Sequence, residues 1–160
     1  MQQIIEIKNI DLLGKYKEVR RFSEKICAPL KTEDDVVQPI VDVSPPKWHI
    51  GHTTWFFETF VLKPNMQNYK EYAPQYNYVF NRYYETVVAR VIRTDRGYLS
   101  RPAVEDVYKF RKHVDDALEP FLQTDHYPYV HEINSLCLKQ HQQPTELFIP
   151  TITQQLYKKP

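Results

Sequence analysis

His49 and His52 stand three residues apart in the segment SPPKWHIGHTTWFFE, Ser44 to Glu58, which also holds both tryptophans of the chain. Imidazole is the side chain best suited to moving protons near neutral pH and to binding a transition metal, so the pair raises the question of a site. On a helix Trp48, His52, Trp55, Thr59 and Leu62 recur at steps of four, three, four and three, which turns His52 inward with both tryptophans. His49 falls on a neighbouring face with Phe56 and Phe60, roughly 60° further round, and is the weaker candidate. An isolated inward histidine is more often a hydrogen-bonded core residue than a ligand. A metal site between helices needs further donors on a facing helix, commonly two at i and i+3 or i+4.

Arg82, Arg90, Arg93, Arg96 and Arg101 concentrate in one third of the chain. The planar guanidinium fork matches a carboxylate, but arginines in an exposed loop making ordinary ion pairs give the same pattern. Tyr69, Tyr72, Tyr76, Tyr78, Tyr83 and Tyr84 could line an aromatic pocket for a quaternary ammonium group, or serve as core and rim. Tyr76 and Tyr83 fall on an inward stripe and read as core. His113, His126 and His131 have no paired spacing and read as surface or capping residues. The chain has no glycine-rich phosphate loop, nucleophile elbow or pair of catalytic carboxylates, so no catalytic residue is assigned.

The elements that must position these residues are helical. Three glycines against 12 prolines argue against a hairpin-rich β fold and for helices joined by proline-marked connections. Asp11 is placed to cap a first helix whose apolar positions are Leu12, Tyr16, Val19, Phe22, Ile26 and Leu30. Ser44 as cap with Pro45 in the first turn predicts a second helix to about Leu62. Tyr76, Val79, Phe80, Tyr83 and Val87 mark a third helix; Val104, Val107, Val114, Leu118 and Phe121 mark a fourth, beginning after Ser100 and Pro102. A fifth begins near Pro128, with Val130, Ile133, Leu136 and Cys137 inward. Helices with one apolar face each bury those faces together, so the expected fold is an all-α bundle in one domain. The long connection Lys31–Val43 is a place to look for function.

The 21 basic and 20 acidic side chains leave a formal charge of +1, so no global field draws in nucleic acid or an anionic membrane. Cys27 and Cys137 lack metal-type spacing and read as reduced core residues. Neither a secretory signal nor an apolar run of membrane-spanning length is present, and the expected location is the cytoplasm.

Several motifs in order, EDDVVQPIVDV, SPPKWHIGHTTWFFETFVL, VFNRYYE, RGYLSRPAVEDVYKFRKHVDDAL and LCLKQHQQPTELF, resemble the N-terminal DinB-like domain of the ergothioneine sulfoxide synthases from about Glu33 to Leu147. The resemblance implies an up-and-down four-helix bundle, with a short or irregular C-terminal segment, in which three histidines hold a non-haem iron(II). In that family the iron and dioxygen join the sulfur of cysteine or γ-glutamylcysteine to trimethylated histidine. The first family ligand matches His52. The other two belong to a motif HEQQHQEL, against which QHQQPTEL sets Gln140 and Pro144 at the ligand positions and His141 at the glutamate, while Gln142, Gln143, Glu146 and Leu147 still match.

Proline offers no donor and disrupts the helix that would present one, and His141 lies about 100° round that helix from Gln140. The expectation is therefore iron(II) weakly held or absent, with His52 and His141 as the remaining candidate ligands. The family's carboxylate-holding arginines match this region and raise Arg93, Arg96 and Arg101 as substrate-binding candidates. The family's C-terminal domain, resembling the formylglycine-generating enzyme, has no counterpart before Pro160. The expected function is that of a relative of the sulfoxide synthases with impaired or no catalysis by itself. The alternative is a non-catalytic helical module binding another chain or a small molecule. The expected partners are a small-molecule thiol or betaine, and a second chain or another copy of this one, with neither nucleic acid nor membrane among them.

Overall fold

The computed structural model describes residues 11–82, 90–123 and 139, and among them every regular element is helical and no strand occurs. Helix α1 spans Leu12–Cys27 and begins as its sequence dictates, with the Asp11 carboxylate accepting the Gly14 N–H at 2.7 Å. Its buried face is Leu12, Tyr16, Arg20, Ser23 and Cys27, with Val19 and Ile26 at its margin. Phe22, expected inward, is 50% exposed. The face turns toward Arg20 and Ser23 because these two complete a polar network with Arg111 and Asp115, and Phe22 falls outside it.

Helix α2, Pro46–Phe57, runs on through a π turn at Glu58–Leu62 into a last turn at Lys63–Asn65. Pro45 stands at its N-cap, not Ser44, and no side chain caps the first amides. Ser44 is turned instead toward Arg96. Every residue from Pro46 to Phe57 is buried, so α2 is the central helix and its stripe was only one of several packed faces. Trp48, His52 and Trp55 are all inward, as the spacing predicts.

The third helix is short: α3 covers Tyr76–Phe80, and Asn81 then takes extended backbone. Tyr83 and Val87 of the expected stripe lie outside the described residues, as do the fifth helix, Cys137, His126 and His131. Gly51 lets α3 come close to α2, since a Cβ there would stand 2.1 Å from the Phe80 ring. Helix α4, Val104–Leu122, starts after Pro102 as expected, with the Asp106 carboxylate accepting the Ala103 N–H at 3.0 Å. Its buried face carries Val107, Phe110, Val114 and Leu118.

Helix α4 lies along α2, and α1 packs against both, with the Tyr16 ring 5.0 Å from that of Phe57. Trp48, Trp55, Phe57, Phe80 and Phe110 form the core between them. The seam of α1 with α4 is charged. Asp115 accepts from Arg20 Nε at 2.9 Å and from the Tyr16 hydroxyl. Arg20 Nη1 reaches Thr54 Oγ1 of α2 at 3.2 Å. Arg111 donates to the Glu24 carboxylate at 2.9 Å and, through Nη2, to Arg20 O and Ser23 Oγ at 2.8 Å each. Burial draws the Arg111 pKa down to about 10, which leaves it charged at neutral pH.

Candidate functional site

Three ring N–H groups of α2, one turn apart on a single face, meet acceptors gathered in α3. Trp48 Nε1 donates to Val79 O at 2.7 Å, and Trp55 Nε1 donates to Asn77 Oδ1 at 2.8 Å. Between them His52 Nδ1 stands 2.8 Å from Phe80 O. A carbonyl oxygen only accepts, so Nδ1 carries the proton and Nε2 keeps the lone pair. The imidazole stacks on Trp48 at a centroid distance of 4.8 Å and 12°, and on Trp55 at 6.0 Å and 24°. Burial pulls the His52 pKa down to about 3, with Arg82 and Arg96 adding to the fall and the Phe80 hydrogen bond opposing it. His52 is thus a neutral imidazole with a fixed tautomer, the form in which histidine serves as a ligand or accepts a proton.

His49, one turn before Thr53, is also buried, and its pKa is held well below the ordinary value, first by burial and then by His52 and the charges of Arg82, Arg96 and Arg93. These arginines converge on a narrow recess of about 30 Å³, walled by Trp48 and His49 on α2, by Asp42, Val43 and Ser44 ahead of it, and by Arg82, Arg93 and Arg96. Arg93 and Arg96 belong to a 3-10 segment, Arg93–Tyr98. The Arg96 guanidinium carbon lies 3.5 Å from the Trp48 ring centroid, and Nη1 donates to Ser44 Oγ at 2.8 Å. Arg96 is 3% exposed, so it is not the solvated loop arginine that composition alone would suggest. Arg101 does not join this group: it is exposed, and its Nη1 donates to Ser100 O at 3.2 Å.

The candidate residues therefore separate. His52, Arg93 and Arg96 gather about Trp48, Arg101 stands apart, and His141, with Gln140 and Pro144, lies outside the described residues. Among the described residues no group of three or more His, Cys, Asp or Glu side chains is placed to share a metal ion. His52 is chemically fit to be one ligand of iron(II), but the described donors do not complete a centre.

Of the tyrosines, Tyr76 is buried as expected, Tyr69 is half-buried, and Tyr72 and Tyr78 are exposed. His113, inside α4, packs on the Tyr69 and Tyr72 rings and sits 3.1 Å from Lys70 O in the connection before α3, not at a helix end. Asn77, Ser44 and the Phe80 carbonyl were not singled out from sequence. A backbone carbonyl has no residue signature, and Ser44 preceding Pro45 looks like a cap until Arg96 is seen against it.

No protein-family model matches this chain, and no curated protein matches it. Among the described residues no helix is long and apolar enough to cross a membrane.

Proposed function

We propose that this chain is a DinB-like four-helix bundle related to the iron-dependent sulfoxide synthases, with His52 as its remaining first metal-binding histidine. The observation that carries the reading is the state of His52: neutral, held by a carbonyl at Nδ1, stacked between Trp48 and Trp55, and left with a lone pair at Nε2. A ligating histidine is commonly oriented by such a hydrogen bond at its other nitrogen. With Gln140 and Pro144 at the two remaining ligand positions, these residues hold iron(II) weakly, and catalysis by them alone is impaired or absent.

Anaerobic titration of iron(II) tests this. His52→Ala abolishes what weak binding there is, and restoring Gln140→His with Pro144→His raises affinity by about two orders of magnitude or more, since two imidazoles on one helix face bind together what neither holds alone. Assay with trimethylhistidine, thiol and dioxygen gives no sulfoxide from either protein. Affinity unchanged in the double variant overturns the reading, and so does turnover by the unaltered chain.

A second reading, a metal-free module that binds a small molecule, is favoured by one observation. Arg82, Arg93 and Arg96 surround a recess floored by Trp48, an arrangement suited to a carboxylate attached to a compact apolar or sulfur-bearing body. Binding of cysteine or γ-glutamylcysteine without metal, lost in Arg93→Ala and retained in His52→Ala, selects it.

A further inference from the structure

Asp35 is an acid in a place that does not suit one. It stands in the middle of a 3-10 turn, Asp34–Val36, that packs against α2, and it is 7% exposed while the apolar Val36 beside it faces water. The backbone of the turn holds that orientation. The Asp34 and Asp35 N–H groups donate to Lys31 O at 2.9 and 3.3 Å, and the Asp34 carboxylate accepts the Lys31 N–H at 2.9 Å. A carboxylate withdrawn from water needs donors or a cation in contact if it is to stay ionised. Asp35 has neither: among the described residues no hydrogen bond or ion pair reaches its carboxyl group.

The groups that face it do not supply the missing partner. Lys47, in the first turn of α2, is buried, and its Nζ donates to Leu99 O at 2.8 Å, so its charge acts on Asp35 from beyond contact. Burial and then Arg101 draw the Lys47 pKa down, against the pull of Asp35. Cys27 at the end of α1 and Tyr108 of α4 are both pushed up to about 12, chiefly by burial, and stay uncharged at neutral pH and below. Arg111 and Glu24, which act on both of these, are paired with each other at 2.9 Å. Asp34, in the same turn, repels a second negative charge. Burial, with Asp34 adding to it and Lys47 opposing, raises the Asp35 carboxyl to about 6.

We propose that Asp35 is a proton-operated clamp: uptake of one proton by its buried, unpartnered carboxyl group seats the Asp34–Val36 turn more firmly on α2, and loss of that proton loosens it. The clamp adds a proton-dependent increment to whatever else holds the connection between α1 and α2, and it involves neither metal nor metabolite. Seating is strongest below the ordinary 3.8, where the carboxyl is neutral whether the turn is seated or open. It weakens about tenfold per pH unit between 3.8 and about 6, where only the open turn is ionised, and is level above that. Mild acidification from neutral pH to about pH 5 therefore tightens the turn by roughly tenfold.

Two measurements on the full chain test this. In the native protein the Asp35 carboxyl carbon, followed by nuclear magnetic resonance, titrates near 6; a midpoint at the ordinary 3.8 overturns the clamp. Hydrogen exchange of the Asp34 amide, which donates to Lys31 O, is then corrected for its intrinsic dependence on pH and referred to the amides of α4, which report any global loosening. Its protection rises by about tenfold from pH 7 to pH 5 in the native protein. In Asp35→Asn, which keeps the shape of the side chain and cannot ionise, the same amide keeps a level protection over that range. Protection that is level in the native protein, or that rises equally in Asp35→Asn, overturns the proposal. The carboxyl titration uses no variant, so it decides the matter even where Asp35→Asn fails to fold.

Discussion

Helix α2 is flanked by two polar seams of opposite character. Toward α3 it offers neutral ring N–H groups, each ending on a carbonyl or amide oxygen. Through Thr54 it touches the other seam, where Arg20, Arg111, Asp115 and Glu24 join α1 to α4. In the charged seam the cations are buried, and the carboxylates keep part of their surface in water. That arrangement selects one alignment of two helices. The neutral seam uses one nitrogen of His52 for architecture and leaves the other with a lone pair, beside a recess rimmed by guanidinium groups. The charged seam spends ionised groups on aligning two helices, whereas the neutral seam fixes the ring of His52 through one nitrogen.

The contrast is best broken at Asp115. Asp115→Ala leaves Arg20, 4% exposed, without its carboxylate and deprives the Tyr16 hydroxyl of its acceptor. Removal of one partner of a buried pair costs about 3–5 kcal/mol, somewhat less here because Asp115 itself is partly solvated. Denaturant titration measures it. A loss below 1 kcal/mol would mean that the seam does not hold α1 to α4.

On the neutral side the corresponding cut is Asn77→Ala, which strands the Trp55 N–H in the core and frees Glu71 from its 2.6 Å contact with Asn77 Nδ2. The expected cost is about 1–3 kcal/mol, that of one unsatisfied buried donor. Near-ultraviolet circular dichroism reports the altered tryptophan environment alongside.

The finest distinction is in pH dependence. His52 has a folded pKa of about 3 against the ordinary 6.5, so the unfolded chain binds its proton first as pH falls. Its stabilising contribution is complete above pH 6.5 and drains away between 6.5 and about 3, by at most roughly 1.4 kcal/mol per pH unit. Asp35, whose pKa burial raises to about 6, acts with the opposite sign between its ordinary 3.8 and that value, and His49, held well below its ordinary value, acts with the same sign as His52, so the raw stability curve mixes several groups. Comparison with His52→Gln isolates the histidine. The stability of the native protein relative to the variant falls on acidification below pH 6.5, and a pH-independent difference would remove the claim that His52 is a buried neutral imidazole.

Much of this was legible in the residues alone. The i, i+4, i+7 spacing of Trp48, His52 and Trp55 set all three inward, because a helix has a fixed period whatever packs against it. Asp11 as a cap, α4 after Pro102, and an all-helical fold with few glycines rest on equally local physics. The same period misplaced Phe22, since an apolar side chain is not drawn inward when Arg20 and Ser23 on the adjacent face find charged partners in α4. Ser44 looked like a cap and proved to be a partner of Arg96, 52 residues away. Which arginines converge and which carbonyl fixes the tautomer of His52 were decided only by tertiary structure. Each depends on a contact between segments distant in sequence, and neither a backbone oxygen nor a guanidinium carries any local sign of what it will face.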